Sequence, residues 1–289
     1  MAPTLFSHIV WNPDLFAFHI GTFGLRWYSL CWCLALLAAY LLVQRLYKQQ
    51  QIPDKLFDPL FFYCFVGILV GARLGHCLFY EPQYFLSHPL EMLLPARHTP
   101  TGWVFTGYAG LASHGGVLGM FIAIWLYCRN TKVPGWVVLD NFGVVSVIAA
   151  EFIRISNLMN SAIIGNVPHM PWACILERVD PYPRHPGLFN VAIAYFVIFA
   201  ISLTVYRKHR EKVGTGLFFG LCLALIFTFR FFIEYTKDIQ VDFEAGMLFD
   251  MGQLLSIPFI AIGLFCIFCK KGMAKLGAKP LSESLKALK

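Results

Sequence analysis

Residues 29–43 read SLCWCLALLAAYLLV, fifteen positions without a charge, and runs of this kind recur to the end of the chain. A bilayer span needs about 20 consecutive apolar residues. Seven segments meet that need and are expected as helices: 24–44, 58–80, 107–128, 136–165, 187–206, 214–236 and 247–269. The expected fold is therefore all-α, a polytopic membrane protein with seven transmembrane helices. One integral membrane domain covers residues 1–289. The fourth segment is long enough to tilt or break. No internal repeat is visible, which argues against the repeat-built transporter folds. Composition agrees: only 13% of the residues are charged, against about 25% in a soluble domain.

The basic residues set an expected orientation, because short cytoplasmic loops carry the excess of Lys and Arg. Loops after the first, third and fifth segments, with the C-terminal tail, hold fifteen of them; the alternate loops hold four. This places the N-terminus outside and the C-terminus in the cytoplasm. The net charge of +7 then needs no nucleic acid, since anionic lipid headgroups attract these residues. No basic residue precedes Arg26 and no cleavage site follows. The first span, rather than a removed signal peptide, is the expected targeting element. The outer loop 81–106 mixes Leu, Met, Phe and Trp with prolines and few charges. It is expected as an amphipathic segment in the outer interface, and loop 166–186 is similar. Most of the nine cysteines fall within apolar runs and read as small hydrophobes; no metal site is expected.

Polar groups interrupt the spans in a few places. GARLG carries Arg73, and GLASHGG carries His114. EFIRISNLMNS carries Glu151, Arg154, Asn157, Asn160 and Ser161. FRFFIEY carries Arg230 and Glu234, and FDMGQ carries Asp250 and Gln253. At about 100° per residue, Arg154, Asn157 and Ser161 share one helical face with Glu151 on its edge. Arg230 and Glu234, four apart, can pair within their helix. Glycines near Arg73 and His114, and Gly165, allow close approach of helices or a bulky ligand. Each group alone has a structural reading: a satisfied core histidine, an amide bridge, an ion pair that glues helices. The sum fits that reading poorly, since each central arginine costs about 2.5–3.5 kcal/mol and three arginines outnumber the nearby acids. Spare positive charge suits an anion, and a guanidinium grips phosphate with two prongs. A phosphate-bearing lipid is the obvious anion in that setting.

These motifs, with LRWYSL, RHP and MGQLLSIP in order along nearly the whole chain, resemble the bacterial prolipoprotein diacylglyceryl transferases, the Bacteroidetes branch in particular. The resemblance implies transfer of the diacylglyceryl group from phosphatidylglycerol to the lipobox cysteine of a prolipoprotein signal peptide, with glycerol phosphate leaving. It implies the bacterial inner membrane, no cofactor and no metal, with membrane lipids and the precursor as partners. His114 matches the family histidine and helps deprotonate the thiol. Arg154 and Arg230 match the family arginines and hold the phosphate. Asn157, Asn160, Gly165 and Tyr28 match polar and close-approach positions. Glu234 orients Arg230, and Arg73 and Glu151 complete the expected substrate-binding set.

Departures from the family pattern are specific. Ser156 replaces a glycine, Ala162 a glutamate, and Ala72 a glycine; after RHP the chain reads Gly187, Leu188, Phe189, Asn190, Val191, without the usual glutamine, tyrosine and second glutamate. Two alternatives to an active transferase follow: a weakened or repurposed homologue that still binds phospholipid or precursor, and a transporter with an intramembrane Arg/Glu pathway.

Overall fold

A computed structural model describes residues 9–21, 23–94, 96–99, 102–105, 110–161, 173–236 and 249–284. Long helices dominate them: α1 (Trp27–Gln49), α2 (Phe57–Phe79), α5 (Ser113–Thr131), α6 (Gly135–Met159), α7 (Gly187–Lys208), α8 (Leu217–Ile233) and α9 (Met251–Phe268). Short helices α3 (Pro82–Ser87), α4 (Pro89–Leu93), α10 (Lys270–Lys275) and α11 (Leu281–Ser284) complete the helical part. Six helices (α1, α2, α6, α7, α8 and α9) are long and apolar enough to cross a membrane. The seven expected spans become six by that measure. The segment expected at 107–128 does form a helix, α5, but Ser113 and His114 at one end and Arg129 and Asn130 at the other shorten its apolar stretch. Large apolar side chains point outward along the helices, Phe62, Ile193 and Phe196 each at least 60% exposed. That outer surface suits lipid, where backbone groups must be satisfied within the helix itself.

The described residues cluster into two compact units, one drawn from Met1–Leu46 and Leu139–Glu283, the other from Tyr47–Val138. In the second, α2 and α5 pack along glycines. A Cβ built on Gly119 would lie 2.1 Å from the Gly67 carbonyl oxygen, and one on Gly71 would lie 2.4 Å from that of Gly115. Only glycine allows such backbone approach, the small-residue packing that lipid-embedded helices use. A Gly119→Leu variant is expected to force α2 and α5 apart. Loss of the folded fraction in detergent would show it, whereas an unchanged melting profile would place the glycines outside the packing.

Segment 81–106 has secondary structure of its own among the described residues. It folds as α3, α4 and a hairpin of β4 (Ala96–Thr99) with β5 (Gly102–Phe105). Arg73 ties this segment to α2, because its guanidinium donates to the carbonyls of Glu91 (2.8 Å), Met92 (3.1 Å) and Gly110 (3.4 Å). The same group lies 4.9 Å from the Phe85 ring centre, and Tyr84 donates to the buried Glu91 carboxylate at 2.6 Å.

In the first unit, α8 and α9 pack against each other through Gly220 and Gly263 and through stacked Phe227 and Phe259, 4.4 Å apart. Asp250 and Gln253, two of the polar residues noted in the sequence, form a capping box at the start of α9, which satisfies backbone donors no helical carbonyl can reach. Gln253 also donates to the Phe231 carbonyl of α8 at 3.1 Å. Near the end of α6 a small sheet collects distant segments. Strand β1 (Ile9–Trp11) pairs parallel with β6 (Cys174–Leu176), and β6 pairs antiparallel with β7 (Pro183–Arg184). A separate hairpin, β2 (Phe16–Ile20) with β3 (Phe23–Arg26), leads into α1.

Candidate active site

Helix α6 carries Glu151, Arg154 and Asn157, three of the groups that the sequence singled out, in its last turns. Helices leave their final carbonyls without internal partners, and here two are met from the sheet side. The Trp11 indole donates to the Leu158 carbonyl at 3.0 Å, and Arg178 donates to that of Met159 at 3.4 Å. The helix ends at Met159, and Ser161 adopts a left-handed backbone with φ of 49°. Ser161 therefore stands beyond the helical face assigned to it with Arg154 and Asn157; the chain turns at Asn160.

Arg154 sits over the ring of Tyr195 on α7, its guanidinium carbon 5.4 Å from the ring centre. A cation over an aromatic face is held electrostatically without using its N–H groups. Tyr195 belongs to a buried cluster with Val147, Val191, Ile198 and Cys222, and Phe229 and Ile233 of α8 pack on the same cluster. The side chain of Arg230, between those two in sequence, makes no hydrogen bond or ion pair among the described residues. Val191, the position noted for its missing carboxylate, is part of this apolar cluster.

Several buried polar atoms here have no hydrogen-bond partner among the described residues: Glu151 Oε2, Arg154 Nε, Ser156 Oγ, Ser161 Oγ and His185 Nδ1. Native proteins satisfy nearly all such atoms, which makes these the polar groups that still need a partner. Asn157 and Asn160 are partly exposed on the same final turns of α6.

Glu234 is buried and follows the last residue of α8. Among the described residues it forms no ion pair with Arg230, so the expected pairing along one helix is not seen. Its carboxylate lies instead against the start of α9, where a Cβ on Gly252 would come within 2.5 Å of Glu234 Oε1. Glycine at 252 is what lets the carboxylate rest there.

The loop before α7 supplies His185. Arg184 Nε donates to both Asp180 carboxylate oxygens, at 3.1 and 3.0 Å, and these bonds hold the Asp180 carboxyl below the usual carboxylate range. Burial lowers the pKa of His185, which favours the neutral ring. Its Nδ1 and the Thr236 hydroxyl both lie 3.9 Å from where a Cβ on Gly187 would stand. The sequence reading gave His185 no role, although the RHP motif marked it.

The remaining expected site residues are placed as follows. Tyr28 is partly exposed on α1, its ring 6.4 Å from that of Trp32. His114 is exposed in the first turn of α5, in the second unit. Arg73 belongs to that unit too, with its donors on backbone carbonyls. Gly165 and Ala162 lie outside the described residues.

The family described as prolipoprotein diacylglyceryl transferase matches residues 15–269. A Bacteroides fragilis protein named phosphatidylglycerol–prolipoprotein diacylglyceryl transferase is 52% identical over 265 residues, covering 91% of this chain and 96% of its own. Proteins of the same name from Tolumonas auensis and Porphyromonas gingivalis are 40% and 35% identical, over 89% and 91% of this chain and 95% of each relative. This chain belongs to the prolipoprotein diacylglyceryl transferase family.

Proposed function

We propose that the 289-residue chain works as a single transferase that moves the diacylglyceryl group of phosphatidylglycerol to a prolipoprotein thiol, the first step of lipoprotein maturation. The observation that carries this is the family match over residues 15–269, together with 52% identity to a relative of that name along nearly its whole length. The acceptor is the lipobox cysteine, and the setting is the bacterial inner membrane with the N-terminus outside and the C-terminus in the cytoplasm.

In the reaction, the thiolate sulfur attacks the glycerol carbon that bears the phosphate ester. A C–S bond forms, the C–O bond breaks, and glycerol phosphate departs with the electron pair. His114 takes the thiol proton, since only the thiolate is a good nucleophile; that proton ends on the departing phosphate. Arg154 and Arg230 hold the phosphate and stabilise the charge that grows on it. Asn157, Asn160, Gly165, Tyr28, Glu234 and Glu151 are the further residues that the family resemblance assigns to substrate binding, whereas Arg73 gives its donors to backbone carbonyls.

Transfer of label from radiolabelled phosphatidylglycerol to a lipobox peptide, by purified protein in detergent, tests this directly, with His114→Gln as the blank. Label on the cysteine, absent in the variant, is the expected result. No label from folded protein would favour a homologue that binds these substrates without turning them over. In the same assay Arg230→Lys is expected to lower activity by roughly ten- to a hundredfold, the worth of hydrogen bonds to a charged group, because an ammonium cannot reproduce the fork. Full activity in that variant would remove Arg230 from phosphate binding.

A further inference from the structure

Glu151 and Arg154 stand three residues apart on α6, within side-chain reach of one another. They share the face that packs on α7: Val147, one turn before Glu151, joins the cluster of Tyr195, and Arg154 lies over the Tyr195 ring. Glu151 is only 7% exposed. Its Oε2 accepts no hydrogen bond, and Arg154 Nε donates none, among the described residues. No ion pair joins them among the described residues. A buried pair with a purely structural task would close on itself, because an open buried donor or acceptor is expensive. These two instead keep an acceptor and a donor three residues apart on one helix, both unused among the described residues.

We propose that this pair reads the headgroup of the lipid substrate. Arg154 Nε donates to a phosphate oxygen while Glu151 Oε2 accepts from a hydrogen-bond donor on the headgroup alcohol. The ligand chemistry is a phosphodiester whose alcohol carries a hydroxyl or an ammonium close to the phosphate, as glycerol and ethanolamine headgroups do. A carboxylate meets either donor, and a headgroup without one leaves Oε2 buried and unpaired. That penalty, more than any gain in attraction, makes such a site selective. The proposal rests on the transferase reading above and adds to it a determinant of headgroup choice.

The test uses the full-length protein in phosphatidylcholine nanodiscs with three probe lipids: phosphatidylglycerol, phosphatidylethanolamine and phosphatidylmethanol, the last lacking any headgroup donor. Transfer to a lipobox peptide and displacement of a fluorescent phosphatidylglycerol are both measured. The wild type is expected to favour phosphatidylglycerol over phosphatidylmethanol about tenfold, one hydrogen bond to a charged group. Glu151→Ala should bring that ratio close to one by losing only on the glycerol lipid, and Glu151→Gln, which keeps a carbonyl acceptor, should fall between. Phosphatidylethanolamine separates the sources: Glu151-dependent preference for it over phosphatidylmethanol assigns the ammonium, and none assigns the hydroxyl. Equal losses on all lipids in Glu151→Ala would mean that Glu151 only orients Arg154, and would overturn the proposal. A wild type that does not discriminate would overturn it as well. If no transfer occurs but displacement shows the Glu151-dependent preference, the headgroup site stands and the transferase reading falls.

Discussion

Replacing Arg154 with alanine is expected to lower kcat/KM by roughly 100- to 1000-fold, the range seen when a preorganised donor to a developing anion is removed. A central arginine in a span costs about 2.5–3.5 kcal/mol, and this one recovers little from the protein. Its guanidinium rests on the Tyr195 ring, and its Nε has no partner among the described residues. Little structure therefore depends on it, and thermal unfolding of the variant should match the wild type. Arg154→Lys should be nearly as inactive, since a point charge keeps the attraction but loses the planar fork. Steady-state transfer with phosphatidylglycerol, alongside unfolding curves, separates the two effects. Wild-type turnover in Arg154→Lys would show that charge alone suffices, and a large drop in stability would make Arg154 a packing residue.

The largest effect on stability is expected at Asp140, which does no chemistry in the proposed reaction. It is 1% exposed on α6. Its carboxylate accepts four backbone N–H groups: Gly214 (2.8 Å), Gly216 (3.0 Å), Phe218 (3.0 Å) and Phe219 (3.0 Å). Helix α8 begins at Leu217, and its N-cap, Gly216, has no side chain to cap with. Asp140 thus caps α8 from another helix, and its negative charge suits the positive end of the helix dipole. The Gly143 backbone on α6 meets Phe218 and Phe219, so the two helices touch where the cap is made. Asp140→Ala would leave several of these donors unpaired, a loss of about 3 kcal/mol or more at about 1–3 kcal/mol for each buried unsatisfied group. Asp140→Asn keeps one carbonyl oxygen and should lose about half as much. Denaturant unfolding in a fixed detergent measures both. An alanine variant as stable as the wild type would mean that water replaces the carboxylate at no cost.

Much of this architecture was legible in the chain because membrane spans announce themselves locally. Apolar length alone located α1, α2, α6, α7, α8 and α9 to within a few residues. The remaining expected span forms helix α5, whose ends carry His114 and Arg129; hydropathy does not say whether a helix with polar ends is wrapped by lipid or by protein. Helical periodicity put Arg154 and Asn157 on one face correctly but carried Ser161 along. The chain takes a left-handed turn there, beside the carbonyls that Trp11, 147 residues away, and Arg178 meet at the end of α6. Arg230 and Glu234 have the spacing of a helical ion pair, yet the Glu234 carboxylate lies against Gly252 at the start of α9. Asp140 drew no notice: a lone acid among Val, Leu and Phe gives no sign of its partners, which lie 74 to 79 residues away.

By itself the sequence determined the class of molecule and the family, since both rest on features written in order along the chain: apolar runs that meet a bilayer's thickness and motifs that keep their succession. It also determined which polar side chains had to be explained, because an arginine among apolar residues is conspicuous without any coordinates. Only the tertiary structure decided what each was for. Arg73 gives its donors to the carbonyls of Glu91, Met92 and Gly110, and Asp250 with Gln253 caps a helix. Arg154 and Glu151 keep a donor and an acceptor unspent among the described residues. The physical reason is that a hydrogen bond is a relation between two groups, directional and about 3 Å long. Whether a buried polar group is satisfied or waiting for a ligand depends on what the fold brings within that distance.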